Sequence, residues 1–177
     1  MSPFRVANDE LRLQVSVDYE TTATIPVAIE VTDDGQPPKA RVFEFSVQVL
    51  DANDKPDNLE LTGMRQLQID APDGHILGEI SVFDADSAET LNGQHQYELM
   101  GGTGGVPAFE VVGSSLKYKK PESGSSIAIG TQYELTIKAS DKGSPPLAVE
   151  RNFIIFVTGP NTPPSSIDAP KLIKIDE

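Results

Sequence analysis

The residues best able to do chemistry in this chain are its acids. Asp18 and Glu20 stand in VDYE, Asp51 and Asp54 in DANDKP at 51–56, Asp84 and Asp86 in DAD, and Asp33 and Asp141 each in an Asp-x-Gly-x-Pro-Pro turn. Short acidic motifs like these often cap turns through side-chain-to-backbone hydrogen bonds, and each cluster taken alone supports nothing more. Brought together, they are a different matter. Like charges about 4 Å apart cost roughly 1 kcal/mol in water and about 4 at intermediate dielectric. A fold that gathers several of them must raise their pKa values or bind cations. Oxygen donors without a histidine ligand suit Ca2+, which takes about 6–8 oxygens from carboxylates, amides and carbonyls in flexible geometry.

The rest of the composition narrows the alternatives. Asp and Glu number 27 against 14 Lys and Arg, a formal net charge of −13 in 177 residues. That balance speaks against nucleic-acid backbones and anionic membrane surfaces as partners, and no apolar run reaches the roughly 18–20 residues of a membrane helix. Cysteine is absent, which removes thiol catalysis, zinc–thiolate sites and disulfides. Enzyme readings find little support. Asp84 and Asp86 can be drawn as an acid/base pair, yet no partner base or cofactor motif accompanies them. No serine lies in GxSxG, the two histidines His75 and His95 read as surface or strand residues, and GGTGG at 101–105 reads as a flexible loop.

The elements that must position the acids read as β-strands. Phe43-Glu44-Phe45-Ser46-Val47-Gln48-Val49 alternates apolar and polar residues, the pattern of a half-buried strand. Further strands are predicted at 11–16, 25–31, 64–69, 77–83, 95–99, 115–119, 132–139 and 151–157, with no capped amphipathic helix. The chain also repeats itself. Ile25 and Tyr133, Asp33 and Asp141, and Phe45 and Phe153 each stand 108 positions apart, while PFRV at 3–6 resembles AFEV at 108–111. That spacing suits a whole sandwich domain. The expected fold is therefore all-β, an antiparallel sandwich in tandem copies.

These motifs together resemble the cadherin repeat family. VDYE is similar to the family's LDxE, VTDDGQPP and ASDKGSPP to its AxDxGxPP element, and VQVLDANDKPDNL to its DxNDNxP linker. ISVFDADSAETLNGQHQYEL is similar to its VxAxDADxGxNGxxxYxL stretch. The resemblance runs over residues 3–158 and implies a seven-stranded Greek-key sandwich. It divides the chain into the C-terminal part of one repeat (1–50), a calcium-binding linker (51–58), a complete repeat (59–158), and a Pro-rich linker with the possible start of another repeat (159–177).

Carried over by motif, the resemblance implies up to three Ca2+ around residues 51–58. Their ligands would be Asp18 and Glu20, the side chains of Asn53 and Asp54, the carbonyls of Ala52, Lys55 and Asn92, and Asp84, Asp86 and Asp141. Asp51 ranks outside this set, as an outer or turn residue. Lys55 stands where the motif has Asn, and its ammonium is expected to weaken binding. The junction after the second copy has Ser123 and Ser125 at the positions of Asp18 and Glu20, and is expected to bind little or no calcium. The function implied is calcium-dependent cell–cell adhesion by an extracellular module of a single-pass plasma-membrane protein. Its partners would be other cadherin-like ectodomains, homophilic or heterophilic, with no nucleic acid and no membrane insertion by this segment. A calcium-stabilised spacer and a carbohydrate-binding sandwich are the alternatives; the absence of Trp and the presence of only four Tyr argue against a sugar platform.

Overall fold

A computed structural model describes residues 2–103, 108–121 and 127–163. Ser123, Ser125 and the possible further repeat at 171–177 lie outside the described residues. Twelve strands follow in order: β1 (Phe4–Ala7), β2 (Glu10–Leu13), β3 (Thr24–Thr32), β4 (Ala40–Gln48), β5 (Asp57–Thr62), β6 (Gln66–Gln68), β7 (Ile76–Phe83), β8 (His95–Thr103), β9 (Phe109–Val112), β10 (Ser115–Tyr118), β11 (Gln132–Asp141) and β12 (Ala148–Thr158).

Strands β5 to β12 build a complete Greek-key sandwich. One sheet has the order β5-β7-β10-β9 and the other β6-β12-β11-β8. The first strand of the sandwich is split between the two sheets: β5 pairs antiparallel with β7, and β6 pairs parallel with β12. Counted that way, eight segments make seven strands.

Period-2 alternation explains what is buried. Along β11, Tyr133, Leu135, Ile137 and Ala139 turn inward and are at most 6% exposed. They meet Leu59, Leu61, Leu67, Leu116, Phe153 and Ile155 in a single core. Burying each large aliphatic or aromatic side chain is worth about 1.5–3 kcal/mol relative to exposure. Phe109 packs edge-on against Tyr133 and Tyr118, with ring centroids 5.2 and 6.4 Å apart, an arrangement favoured by the ring quadrupoles. The same alternation carries one step past the apolar residues and turns Asp141 inward at the strand end, where it is 1% exposed.

Residues 4–48 form two hairpins, β1-β2 and β3-β4. The turn after β3 matches the turn after β11 in detail. Asp33 Oδ1 accepts hydrogen bonds from the amides of Gly35 and Lys39, and Asp141 Oδ1 accepts them from Gly143 and Leu147. Burial differs sharply between the copies: Phe45 is 43% exposed, whereas Phe153, 108 positions later, is 2% exposed. β11 and β12 lie between β8 and β6, but β3 and β4 pair only with each other.

One expectation needs correction. Gly101, Gly102 and Thr103 are not part of a loop but extend β8, pairing with β11 across a register shift near Thr136. Glycine permits this: a Cβ at Gly102 would lie 2.1 Å from the carbonyl oxygen of Glu134. Residues 104–105 of the same stretch lie outside the described residues. Three further strands, β1, β5 and β9, fall where no strand was predicted.

Candidate metal centre

Three segments bring their acids to one place. Glu20 follows β2, Asp51 lies in the linker after β4, and Asp86 follows β7. One carboxylate oxygen from each lies within 4.8 Å of the other two. Asp86 is the buried member, 6% exposed. Its Oδ2 accepts the amide of Asp54 at 2.8 Å, while Oδ1 is buried and has no hydrogen-bond partner among the described residues. An ionised oxygen shut away from water without a partner is costly, and a hard cation is the chemistry that relieves it.

Around this trio the linker is tied to the complete sandwich. Asn53 Nδ2 donates to Asp141 Oδ2 at 3.1 Å and to the carbonyl of Pro145 at 3.0 Å. Asn53 Oδ1, beside Gly143, is also buried and has no partner among the described residues. Asp84 accepts the Asp86 amide at 3.1 Å and meets His95 Nε2 at 2.6 Å, its side chain only 3% exposed. Pro56 at the end of the linker is fully buried. The linker is thus held by hydrogen bonds from two successive residues and by a proline packed into the sandwich.

The other candidate ligands line an open cavity of about 470 Å³, bounded by Asp18, Glu20, Ala52, Asp54 and Lys55, with Asp57, Leu50 and Phe83 alongside. Asp18 also closes its own turn, accepting from the Glu20 amide at 3.0 Å and from Thr21 Oγ1 at 2.8 Å. The Thr21 hydrogen bond is the main reason that its carboxyl is held below the usual range. Glu20 moves the opposite way. Loss of water around it raises its pKa, and the carboxylates of Asp54 and Asp51 push in the same direction.

Sequence reasoning ranked Asp51 below the other acids, yet its carboxylate stands with Glu20 and Asp86. Its place in the same DANDKP stretch was the available signal. His95, read as a surface or strand residue, does open β8; its side chain also meets Asp84, a contact that nothing in their spacing announces. Asn92 is half-buried in the loop after Asp86. The loop is fastened to the Asp141 turn by the Lys142 amide, which donates to the carbonyl of Leu91 at 3.1 Å.

Gly143 sets the approach of Asn53. A Cβ there would lie 2.2 Å from Asn53 Oδ1, so Gly143→Ala is expected to expel that side chain and break both of its hydrogen bonds. The expected loss is about 1–3 kcal/mol in urea denaturation without added metal.

No protein-family model matches the chain. Similar proteins are nonetheless found. The chain is 33% identical to chimpanzee (Pan troglodytes) protocadherin alpha-10 over 141 residues, 78% of this chain and 14% of that protein. It is 28% identical to human protocadherin-17 over 169 residues, 87% of this chain and 14% of that one. The chain belongs to the cadherin repeat family. It spans about one-seventh of the length of these two relatives. Among solved structures, protocadherin gamma B2 extracellular cadherin domains 1–5 superpose with a TM-score of 0.73 at 18% identity, covering 92% of this chain and 32% of that structure. That likeness establishes the cadherin sandwich fold. Among the described residues of this cadherin-type chain, no helix is long and apolar enough to cross a membrane.

Proposed function

We propose that this chain is a calcium-binding module of an extracellular adhesive rod, with ions held where residues 1–50, the linker 51–58 and the sandwich of 59–158 meet. The observation that carries the reading is Asp86: its buried Oδ1 has no partner among the described residues, and its carboxylate lies with those of Glu20 and Asp51, three acids from three separate segments. Asp18, Glu20, Asp54, Asp84, Asp86 and Asp141 would bring six negative charges, the charge of three Ca2+. The side chain of Asn53 and the carbonyls of Ala52, Lys55 and Asn92 would supply neutral oxygens. Asp51, beside Glu20 and Asp86, would add a seventh negative charge.

Bound calcium would supply positive charge that cancels repulsion across the junction. Ligands from both sides would then fix the angle between the repeats, because ion binding favours the arrangement in which all of them converge. The relatives support an extracellular setting, with other cadherin-like ectodomains as partners, homophilic or heterophilic. A non-catalytic role agrees with their character as adhesion proteins.

Calorimetric titration with calcium tests the reading. The wild-type chain should bind with micromolar to millimolar affinity, and Asp54→Ala should weaken binding by about tenfold or more through loss of one ligand charge. Unchanged affinity in both Asp54→Ala and Asp86→Ala would remove the assignment. Bead aggregation with and without chelator then separates an adhesive module from a spacer.

A further inference from the structure

One edge of the complete sandwich is closed by two arginines. β5 ends its sheet, so among the described residues the carbonyls on its outer side have no strand to accept from. Two of them are served by guanidinium groups instead. Leu59 accepts from Arg151 Nη1 at 2.8 Å, and Leu61 accepts from Arg65 Nη2 at 3.1 Å. Both guanidiniums also lie over the ring of Phe153, 5.6 and 5.4 Å from its centroid. Arg151 and Phe153 belong to β12 in the opposite sheet, so the pair fastens one sheet to the other.

Arg65 holds its position at a cost. Its φ of 48° lies in the left-handed region that side-chain-bearing residues rarely adopt. Its carbonyl accepts the amide of Phe156 at 3.0 Å, so backbone and side chain together bind the crossover between β5 and β6 to β12. Among the described residues, neither arginine forms an ion pair with a carboxylate.

The position of β5 connects this clamp to the junction. β5 starts directly after Pro56, and its ladder to β7 is thin at that end: Asp57 pairs with Phe83, then the register shifts before Glu60. Asn58, inside the irregularity, has φ 52°. Arg151 therefore grips the strand at Leu59, where the ladder does not.

We propose that Arg65 and Arg151 are positioning residues for the junction: by clamping β5 they hold the linker so that Asn53 and Asp54 meet Asp86 and Asp141 before any ion arrives. This rests on the calcium reading above. A loose β5 would add the cost of ordering the linker to every binding event. The sign of the effect is diagnostic. Removing positive charge from an acidic protein should by itself strengthen cation binding, so weaker binding reports lost positioning.

The test uses the full chain as wild type, R65M, R151M, R151K and R65M/R151M, with amide hydrogen exchange in chelator and calcium calorimetry. In the metal-free double variant, exchange across residues 57–62 should quicken about tenfold or more while β11 stays protected. Calcium affinity should fall about three- to tenfold, with R151K, which keeps the charge and a donor, falling less than R151M. Unchanged exchange at 57–62 overturns the clamp. Faster exchange with unchanged or tighter calcium binding overturns its coupling to the junction. Should the double variant unfold, R65M and R151M are judged by the same two readouts. Wild-type protein that takes up no calcium overturns the calcium reading and the coupling together, at the first titration, while exchange still decides the clamp.

Discussion

Asp86→Asn is expected to reverse its effect on stability according to whether calcium is present. In chelator the variant should melt above wild type, because a buried carboxylate with an unpartnered oxygen, close to Glu20 and Asp51, becomes neutral. Its amide oxygen can still accept from Asp54, so the linker keeps its anchor. In calcium the order should invert. An ion at a hundred times its Kd stabilises the folded state by about 2.7 kcal/mol, and a variant binding about a hundredfold more weakly retains only about 0.4 of that. Differential scanning calorimetry in both buffers reads the crossing. Two melting curves that keep the same order in chelator and in calcium would show that Asp86 is not a ligand.

Phe153→Ala should cost about 3–5 kcal/mol, the range for truncating a buried aromatic side chain. Phe153 is 2% exposed at the centre of the core, and its ring is also the platform for Arg65 and Arg151. Against a total domain stability of about 5–15 kcal/mol, the sandwich should be left marginal, with its urea midpoint sharply reduced. Phe45→Ala at the equivalent position of the first copy should cost far less, since that side chain is 43% exposed in this structure. Equal losses in the two variants would mean that the first copy buries Phe45 in solution.

Sequence pattern made the long strands legible because their alternation persists for several residues. In Tyr133 to Ala139 a register error would turn the whole apolar row outward; Phe43 to Val49 alternates as clearly, although Phe43 and Phe45 are exposed here. β1, β5 and β9 escaped. They have four to six residues each, but β2, β6 and β10 are no longer and were read correctly, so length alone does not account for the misses; in β5 the irregularity at Asn58 also breaks the alternation. Gly101 and Gly102 suggested a loop by composition, yet both pair with β11, and at Gly102 the backbone comes so close to Glu134 that only glycine fits. At the site, the acids were readable from their motifs. The His95–Asp84 contact and the place of Asp51 beside Glu20 depend on how three separated segments converge, and local sequence carries no record of that convergence.

The division of the first strand between two sheets has a mechanical consequence. β6, near the start of the sandwich, lies parallel to β12, its final strand, with Gln66, Leu67 and Gln68 in register with Phe156, Val157 and Thr158. Tension applied along the chain would pull these two strands lengthwise past each other, so their bonds would be strained in shear together and not peeled open one after another. A module joined end to end with its neighbours would therefore resist stretching most strongly along the line from its first strand to its last.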